Sequence, residues 1–429
     1  MRVPALWRNR DFTVLWSGRA VSELGSAMSF VALPLLTLTV GSPTDAGLVL
    51  ATATIGQLVV ALYAGAVTDR VSRRLAMTAS VLVRAVGYGS LAAASATGAI
   101  TLGQLYAVAA IVGLAGPFFS AAETAAIRAV VPPEQLPSAY SQNQVRSMTA
   151  ELSGAPVGGA LYGVSHALPF AADAASFVVE AVALRSIRAD LAAPGRSERR
   201  AVWHDIGGGL SFIWRHPFLR VTLLAGGVIN FAALWPVLLL TLHDRHIAPS
   251  LIGATLSALT VAGLIGALAA PVVTKRVAPG RIIIAASWVL VGTLAVMTVA
   301  SSTLLMLAAL IAGVTVVPAI GILLSSYETA VTPNEMIGRV SAAGSFLATA
   351  AIPAGQAVGG ALYAAGGPRL AFAVFGSAVL VGALLLTGSN AVREIRPGDA
   401  PAPETAAETV TVSQAQGARI GNPPTGSRP

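Results

Sequence analysis

Apolar residues run along this chain in twelve long stretches, separated by short connections that are rich in glycine, proline or arginine. Each stretch has about 20 residues or more, the length of helix that crosses about 30 Å of hydrocarbon. The pattern predicts an all-α integral membrane protein with twelve transmembrane helices. The predicted spans are residues 12–40, 45–67, 75–96, 102–122, 139–164, 168–187, 218–242, 250–273, 281–300, 303–326, 339–365 and 369–388.

The second six stretches repeat the first six. Residues 154–164 read GAPVGGALYGV and residues 355–365, 201 positions later, read GQAVGGALYAA, with seven of eleven positions identical. The segment VTDRV at 67–71 returns as VTKRV at 273–277, 206 positions later. A period this long excludes short-repeat solenoids and fits two parallel six-helix repeats. The predicted units are an N-terminal half (1–187), a connector (188–217), a C-terminal half (218–392) and a tail (393–429).

The amino-acid composition also indicates a membrane environment. Hydrophobic residues make up 55% of the chain, charged residues make up 11%, and the mean hydropathy is +0.74, whereas a soluble domain has about 25% charged residues. The absence of cysteine excludes disulfides, thiolate metal sites and cysteine nucleophiles. A phosphate-binding P-loop motif is also absent, so direct drive by ATP is unsupported. We expect a protein that is not an enzyme, with no cofactor and no metal site.

Basic residues set the expected orientation. They crowd the N-terminus, the connection after span 2 and the central connector, whereas the connections at 41–44, 97–101, 165–167 and 301–302 have no Lys or Arg. The positive-inside rule therefore places both termini and the connector in the cytoplasm. The formal net charge of +8 is explained by this topology, so we expect a lipid bilayer and not nucleic acid as the partner.

The connector and the tail have different patterns. Trp203, Ile206, Leu210, Ile213 and Trp214 recur at helical spacing, which predicts an amphipathic helix along the inner membrane surface. This helix is interpreted as a lateral brace between the halves, with a regulatory or ligand-binding role as the alternative. Residues beyond 393 are rich in Pro, Ala, Thr, Glu and Gly without periodicity, which predicts a disordered tail.

The loop after span 2, GAVTDRVSRR at 65–74, resembles the signature loop of the major facilitator superfamily, with Ser72 where that family usually has glycine. The resemblance implies a transporter fold in which spans 1, 4, 7 and 10 line a central cavity. The loop is interpreted as a cytoplasmic latch in which Gly65 permits close helix approach and Arg73 pairs with Glu123; the alternative is that its charges only set topology. The equivalent segment 273–277 lacks the Asp. The candidate latch residues are Gly65, Asp69, Arg70, Arg73, Arg74 and Glu123.

A second motif lies on span 5. Gly154, Pro156, Gly158 and Gly159 resemble the glycine–proline signature of proton-driven exporters, with the proline one place later than usual. Small residues at this spacing permit close helix packing, and because the glycines recur on span 11, generic packing is the alternative. The wider pattern, including TrpArgHisPro at 214–217, is similar to the macrolide-efflux and siderophore-exporter branch over residues 8–388.

Charges inside the membrane are costly unless they are paired or functional. Arg19 and Glu23 lie about 12 and 18 Å deep in span 1 at 1.5 Å per residue. Glu23 is the first candidate for a proton-exchanging carboxylate with Arg19 as its partner, and a purely structural pair is the alternative. Glu151 ranks second, with Arg146 on the same span. Three others, Arg84, Asp173 and Glu180, rank lower because the resemblance implies that their spans are peripheral.

The remaining cavity is expected to be mostly apolar, with a few polar contacts from residues such as Asn230 and Gln356. Such a cavity favours an amphipathic, cationic or macrocyclic cargo over a sugar. The sequence therefore predicts a monomeric, proton-coupled exporter of drugs, macrolides or siderophores that works by alternating access in the bacterial cytoplasmic membrane. The alternatives are a nutrient importer on the same fold and a membrane receptor or scaffold that does not transport.

Overall fold

The computed structural model describes residues 5–192, 202–232, 234–274, 277–333 and 335–394. Regular structure in these ranges is helical throughout, and no strand occurs in them. The helices are α1 (Arg10–Leu38), α2 (Pro43–Thr68), α3 (Arg73–Thr97), α4 (Leu102–Val130), α5 (Leu136–Val164), α6 (Leu168–Ser186), α7 (Val202–Arg215), α8 (Pro217–Phe231), α9 (Leu234–Asp244), α10 (Pro249–Thr274), α11 (Pro279–Val299), α12 (Thr303–Val331), α13 (Ile337–Gly388) and α14 (Asn390–Arg393).

The all-α fold is confirmed, and the helices are consistent with twelve spans. Nine helical segments among the described residues are long and apolar enough to cross a membrane, and the segment Pro217–Asp244 combines α8 and α9. One of the nine, α13, contains predicted spans 11 and 12, which meet at a kink where Gly367 has a φ of +69°. That conformation favours glycine because it has no Cβ. The more polar helices α5 and α6 are not among the nine.

Two helices extend beyond their predicted ends. The span predicted to end at 122 continues to Val130 in α4, and the span predicted to end at 326 continues to Val331 in α12. In each case the continuation contains a glutamate, Glu123 or Glu328. These helices continue because each carboxylate points into the protein interior or a cavity rather than into lipid.

The predicted span 7 is interrupted. Helix α8 ends at Phe231, α9 begins at Leu234, and Ala232 between them has a non-helical ψ of 51°. Pro236 explains the break, because a proline removes the N–H that would bond to the carbonyl four residues earlier and its ring clashes with that carbonyl. Interrupted membrane helices are tolerated where they line a cavity or are covered by protein.

The helices form two bundles. In the first, α1 packs against α5 and α6. Helix α3 packs against α4 and α6, and α4 also packs against α2. In the second, α8 and α11 pack against α13, and α12 packs against α10 and α11. Fully buried phenylalanines fill both bundles, with Phe119 and Phe177 in the first and Phe372 and Phe375 in the second.

The bundles meet through α2 against α13 and α5 against α10. Gly47 and Gly360 lie so close that a Cβ on either would approach the other's Cα to 3.1 Å, and Gly159 and Gly253 each contact backbone of the opposite bundle. These four glycines lie at the end of the molecule opposite the first residue of α1. We call this end, with its connections at 39–42, 165–167 and 245–248, the far end, and the opposite one the near end.

The two contacts between the bundles follow the sequence repeat. Gly159 and Gly360 are 201 positions apart, and Gly47 and Gly253 are 206 positions apart, the same two offsets that the repeated segments have. Gly47 and Gly360 of the contact between α2 and α13 therefore correspond to Gly253 and Gly159 of the contact between α5 and α10. The far end is closed by two equivalent helix crossings that need glycine for close backbone approach.

The predicted connector helix is present as α7, which packs against α8 and α13. Ile213 is buried, and Gly209 contacts the carbonyl of Arg339. The side chains of Trp203 and Ile206, and the predicted disordered tail beyond residue 394, lie outside the described residues. The main contacts of α7 are with the second bundle, so a brace that joins the two halves stays a prediction.

Candidate functional site

Seven charged side chains from five helices of the first bundle lie next to one another within the membrane-spanning region. We call them the charged cluster. Most are buried, although charged side chains are rarely buried unless they are paired. Its members are Arg19, Glu23, Arg84, Glu123, Arg146, Asp173 and Glu180.

Arg146 on α5 holds two carboxylates of the cluster. Its Nε and Nη2 donate to the two oxygens of Glu23 at 3.0 and 3.1 Å, and Nη2 also donates to Glu123 at 3.1 Å. Ser147 donates to both Glu23 oxygens at 3.1 Å. The Arg146 side chain is 4% exposed. Bidentate guanidinium–carboxylate pairs of this kind are among the strongest charge-assisted hydrogen bonds.

Arg19 on α1 lies between three carboxylates. Its guanidinium nitrogens are 3.1 Å from Glu23, 3.7 Å from Glu123 and 3.9 Å from Glu180. The guanidinium also lies 4.4 Å from the centre of the Phe119 ring, in cation–π geometry. The predicted pairing of Arg19 with Glu23 is thus present, as one contact of a larger network.

Arg84 and Asp173 lie at the edge of the cluster and are linked through a hydroxyl group. Arg84 donates to Ser26 at 3.4 Å and stacks 4.2 Å from the centre of the Phe177 ring. Ser26 in turn donates to Asp173 at 3.5 Å, and Ser176 donates to the same oxygen at 3.4 Å. The other oxygen of Asp173 has no hydrogen-bond partner among the described residues.

The cluster borders a cavity of about 370 Å³ between the bundles. Arg19, Glu23 and Arg84 reach its wall, and Leu256 and Thr260 of α10 form the opposite side. Glu151, the second predicted candidate, is exposed at this cavity and not paired with Arg146. The cavity thus places ionisable groups of the first bundle opposite apolar groups of the second.

A second cavity, of about 390 Å³, lies within the second bundle near α7. Its walls include Asn230, which the sequence singled out, and Glu328, whose carboxylate has no ion-pair partner within the described part of the chain. Hydroxyl groups of Thr222, Ser325 and other residues share the wall with leucine and isoleucine side chains. The cavity combines apolar surface with one unpaired negative group.

The predicted latch residues contact backbone in this conformation. Arg74 donates to the carbonyls of Ile187 and Ala189 at 2.7 and 3.1 Å, and the backbone N–H of Arg73 donates to Leu191 at 2.9 Å. These contacts hold the chain after α6 to the start of α3. Asp69 and Arg70 are exposed.

Two details of the predicted latch differ in the structure. Glu123 pairs with Arg146 and Arg19 instead of Arg73, because it lies seven residues before the end of α4, about 10 Å inside the helix end at 1.5 Å per residue. Gly65 does not permit a close helix approach here, since a Cβ on it would meet nothing within 4 Å. No described residue lies within 4 Å of that side of α2 at Gly65.

The glycine motif of α5 contacts two different helices. A Cβ on Gly154 would lie 2.5 Å from Cβ of Ala27, and one on Gly158 would lie 2.5 Å from Cα of Met28, both on α1. Gly159 instead contacts the carbonyl of Pro249 at the start of α10. Pro156 lies inside α5 without breaking it. The motif therefore supports both the first bundle and the contact between bundles.

The other predicted cavity residue, Gln356, lies at the contact between the bundles. Its side-chain oxygen accepts a hydrogen bond from Thr54 of the first bundle at 2.9 Å. It links α13 to α2 and is not among the residues lining the two cavities described above.

The family model of the Major Facilitator Superfamily matches residues 15–355. The chain belongs to this superfamily. Among curated proteins, the chain is similar to the "Multidrug efflux pump Tap" of Mycolicibacterium fortuitum, with 28% identity over 265 residues; the match covers 58% of this chain and 64% of that pump, less than two thirds of its length.

Solved structures of other transporters have the same fold as this facilitator-superfamily chain. The nucleoside transporter NupG matches with a TM-score of 0.71 and 14% identity, covering 88% of this chain and 98% of that one. A bacterial homologue of the iron transporter ferroportin in its inward-facing state matches with a TM-score of 0.68 and 17% identity over the same shares of the two chains. The outward-facing state of that homologue gives a TM-score of 0.55 at 19% identity, again with 88% and 98% covered.

The structure brings the α3 and α6 charges of this superfamily member, which the sequence analysis ranked lower, into the cluster. Arg84, Asp173 and Glu180 were placed on peripheral spans, yet all three are at least nine-tenths buried and directed towards α1. One signal was available: Asp173 and Glu180 are seven residues apart, so they share one helix face. Glu328 was missed because the predicted span 10 ended before it.

Proposed function

We propose that this chain is a secondary transporter that exports small amphipathic molecules in exchange for protons, by alternating access. The charged cluster beside the cavity between the bundles carries the proposal. Ionisable groups in membrane helices are costly and mark proton or substrate pathways. Membrane orientation is set by charges in the connections between helices, so it does not account for seven charged side chains within five helices. Exchange of a proton changes the charge of such a cluster and thereby biases the conformation.

The proposed state of this conformation is inward-facing. The closest contacts between the bundles lie at the far end, and most of the basic residues outside the spans lie at the near end, with Arg245 and Arg369 as the far-end exceptions. The positive-inside rule makes the near end cytoplasmic, so the cavities would receive cargo from the cytoplasm. The higher TM-score against the inward-facing ferroportin homologue is in keeping with this assignment.

The second cavity supports a cationic amphipathic cargo. Leucine and isoleucine side chains provide apolar surface, and Glu328 provides a negative group that no described residue neutralises. A sugar site needs more hydrogen-bonding side chains than the few around Asn230. The name of the similar Tap protein, a multidrug efflux pump, points in the same direction. We further propose a monomer in the bacterial cytoplasmic membrane with both termini inside.

The test is transport by purified protein in proteoliposomes with an imposed pH gradient. Protein oriented with the near end outside should accumulate a cationic dye inside vesicles that are acidic within, and a protonophore should abolish the accumulation. Uptake of a sugar or nucleoside together with protons would favour the importer alternative. Cargo binding with no transport under any gradient would favour a receptor or scaffold.

The role of Glu328 is tested by Glu328→Gln. Loss of the negative group should weaken transport of a cationic dye by about tenfold or more, since a charged hydrogen-bonding partner contributes about 1.5–3 kcal/mol, and should leave a neutral analogue unaffected. Glu335→Gln, at an exposed glutamate between α12 and α13, is the matched control. Equal loss for charged and neutral cargo would contradict a cation site.

A further inference from the structure

We propose that Glu180 of α6, rather than Glu23, is the carboxylate that binds the driving proton; this inference rests on the proposed proton coupling. Glu180 is 1% exposed, and neither of its oxygens has a hydrogen-bond partner among the described residues. It occupies a span that sequence reasoning treated as peripheral. The argument depends on the charge balance of the cluster and on how each carboxylate is held.

The charged cluster has one more carboxylate than it has guanidinium groups. Four acidic side chains, of Glu23, Glu123, Asp173 and Glu180, face three arginines, and arginine does not lose its proton in proteins. With every group ionised, a buried site would carry an uncompensated negative charge, which is strongly unfavourable in a low-dielectric interior. Binding of one proton makes the cluster neutral.

The contacts identify which carboxylate is free to take this proton. Glu23 is held by Arg146, Arg19 and Ser147, and Glu123 is held by Arg146 at 3.1 Å. Asp173 accepts from Ser26 and Ser176. Glu23 and Glu123 would each lose charge-assisted hydrogen bonds on protonation. Ionised Asp173 keeps the hydrogen bonds from the two hydroxyl groups, whereas ionised Glu180 accepts no hydrogen bond from a described residue and has one distant cation, Arg19 at 3.9 Å.

The other groups around Glu180 do not change this ranking. On α1, the Ser22 hydroxyl lies nearby but donates to the carbonyl of Arg19 at 3.1 Å. On α3, Arg84 is directed to Ser26, and on α4, Glu123 is a further negative group near Glu180. From α5, Arg146 contacts Glu23 and Glu123. Asp173 on α6 itself is a second negative group.

Arg19 provides the link between the proton and the conformation. It lies within 4 Å of Glu23, Glu123 and Glu180, and α1 also contacts α5 through Gly154 and Gly158. A shift of α1 relative to α6 that brings Arg19 closer to Glu180 would favour the ionised form and release the proton, because a nearby opposite charge favours ionisation. The rearrangement between conformations would in this way set proton affinity.

Glu180→Gln tests the inference. Glutamine is neutral like a protonated carboxyl group, so the variant should fold with unchanged or higher thermal stability, keep downhill exchange of cargo, and lose accumulation driven by a pH gradient. Glu335→Gln, at an exposed glutamate outside the cluster, is the matched control and should keep both the temperature of thermal unfolding and gradient-driven transport per folded molecule.

Infrared spectroscopy supplies a second readout, and its first measurement uses the wild-type protein alone. The wild-type protein in lipid at neutral pH should show a C=O band of a protonated carboxyl group that exchanges slowly in D₂O, because Glu180 is buried. The band should be lost in Glu180→Gln and kept in Glu335→Gln, and it should shift on ¹³C labelling of glutamate but not of aspartate. Absence of the band from the wild type, its persistence in Glu180→Gln, or a shift on labelling of aspartate alone would overturn the inference.

The transport data separate this inference from the proposed function. If the wild type accumulates cargo on a pH gradient and Glu180→Gln does so equally, Glu180 is not the proton carrier although proton coupling stands. If the wild type itself shows no response to the gradient, the proposed proton coupling fails first.

Discussion

Replacement of Gly159 by alanine should open the far end of the transporter. A Cβ at this position would contact the carbonyl oxygen of Pro249, and it would lie 2.7 Å from the carbonyl carbon of Pro249 and 3.1 Å from Cα of Ser250. Carbon atoms in contact normally lie about 3.5–4.0 Å apart. Helices α5 and α10 must therefore separate by about 1 Å, and the strain arises only in the conformation in which the two bundles touch here.

The size of the effect follows from this difference between conformations. Overpacking a tight contact costs about 1–3 kcal/mol. Because the state that is open at the far end does not bear this cost, the equilibrium between the two states should shift about 5–150-fold towards it. Two other glycines of α5 are controls: Gly163→Ala meets nothing within 4 Å, and Gly158→Ala strains a contact with Met28 inside the first bundle in both states.

The assay is a distance measurement across the far end. The chain has no cysteine, so spin labels on Val164→Cys and Leu251→Cys, two exposed positions on α5 and α10, report on this contact alone. Electron–electron double resonance should show a larger population at long distance for Gly159→Ala than for Gly163→Ala, while Gly158→Ala should lower thermal stability without a shift. Identical distance distributions for Gly159→Ala and Gly163→Ala would refute the interpretation of the far end as a gate.

Two further predictions concern charged residues. Arg146→Met removes the main partner of two carboxylates, buried Glu123 and partly buried Glu23, so the free energy of unfolding should fall by about 3–5 kcal/mol, measured by thermal unfolding in detergent; an unchanged stability would show that the network is not structural. Asp69→Asn should leave stability unchanged because Asp69 is exposed, yet reduce the transport rate if the latch closes in the other conformation. Lys275→Ala, at the equivalent place in the second half, should have less effect, and equal sensitivity would contradict an asymmetric latch.

The helices, the repeat and the close packing of the span 5 glycines could be predicted from sequence, whereas the close approach predicted at Gly65 was not found. A membrane span needs about 20 apolar residues, a constraint strong enough to locate most helices to within a few positions. The repeated offsets of 201 and 206 were also visible, and they recur in the contacts of Gly159 with α10 and of Gly360 with α2. These features depend on local sequence and on the comparison of two halves of one chain.

The charged cluster could be predicted only in part, because its partners come from five helices. The pair of Arg19 and Glu23 was visible since both lie on one helix face four residues apart. Glu123 and Glu180 became members only through packing of α4 and α6 against α1 and α5. Hydropathy alone places a glutamate at the end of a span, and it cannot show that a guanidinium from another helix lies 3.1 Å away.

The two bundles share the glycine contacts of the far end but not a charge distribution. Mid-span charges such as Arg19, Arg84 and Glu180 are confined to the first bundle, whereas the charged residues of helices α8 to α13 lie within about one turn of a helix end or a kink. The equivalent glycine contacts hold both bundles together at the far end. Since the mid-span ionisable groups lie in one bundle, the proposed proton coupling assigns the bias on the conformation to the first bundle, and the second bundle would contribute apolar surface and Glu328 to the proposed cargo site.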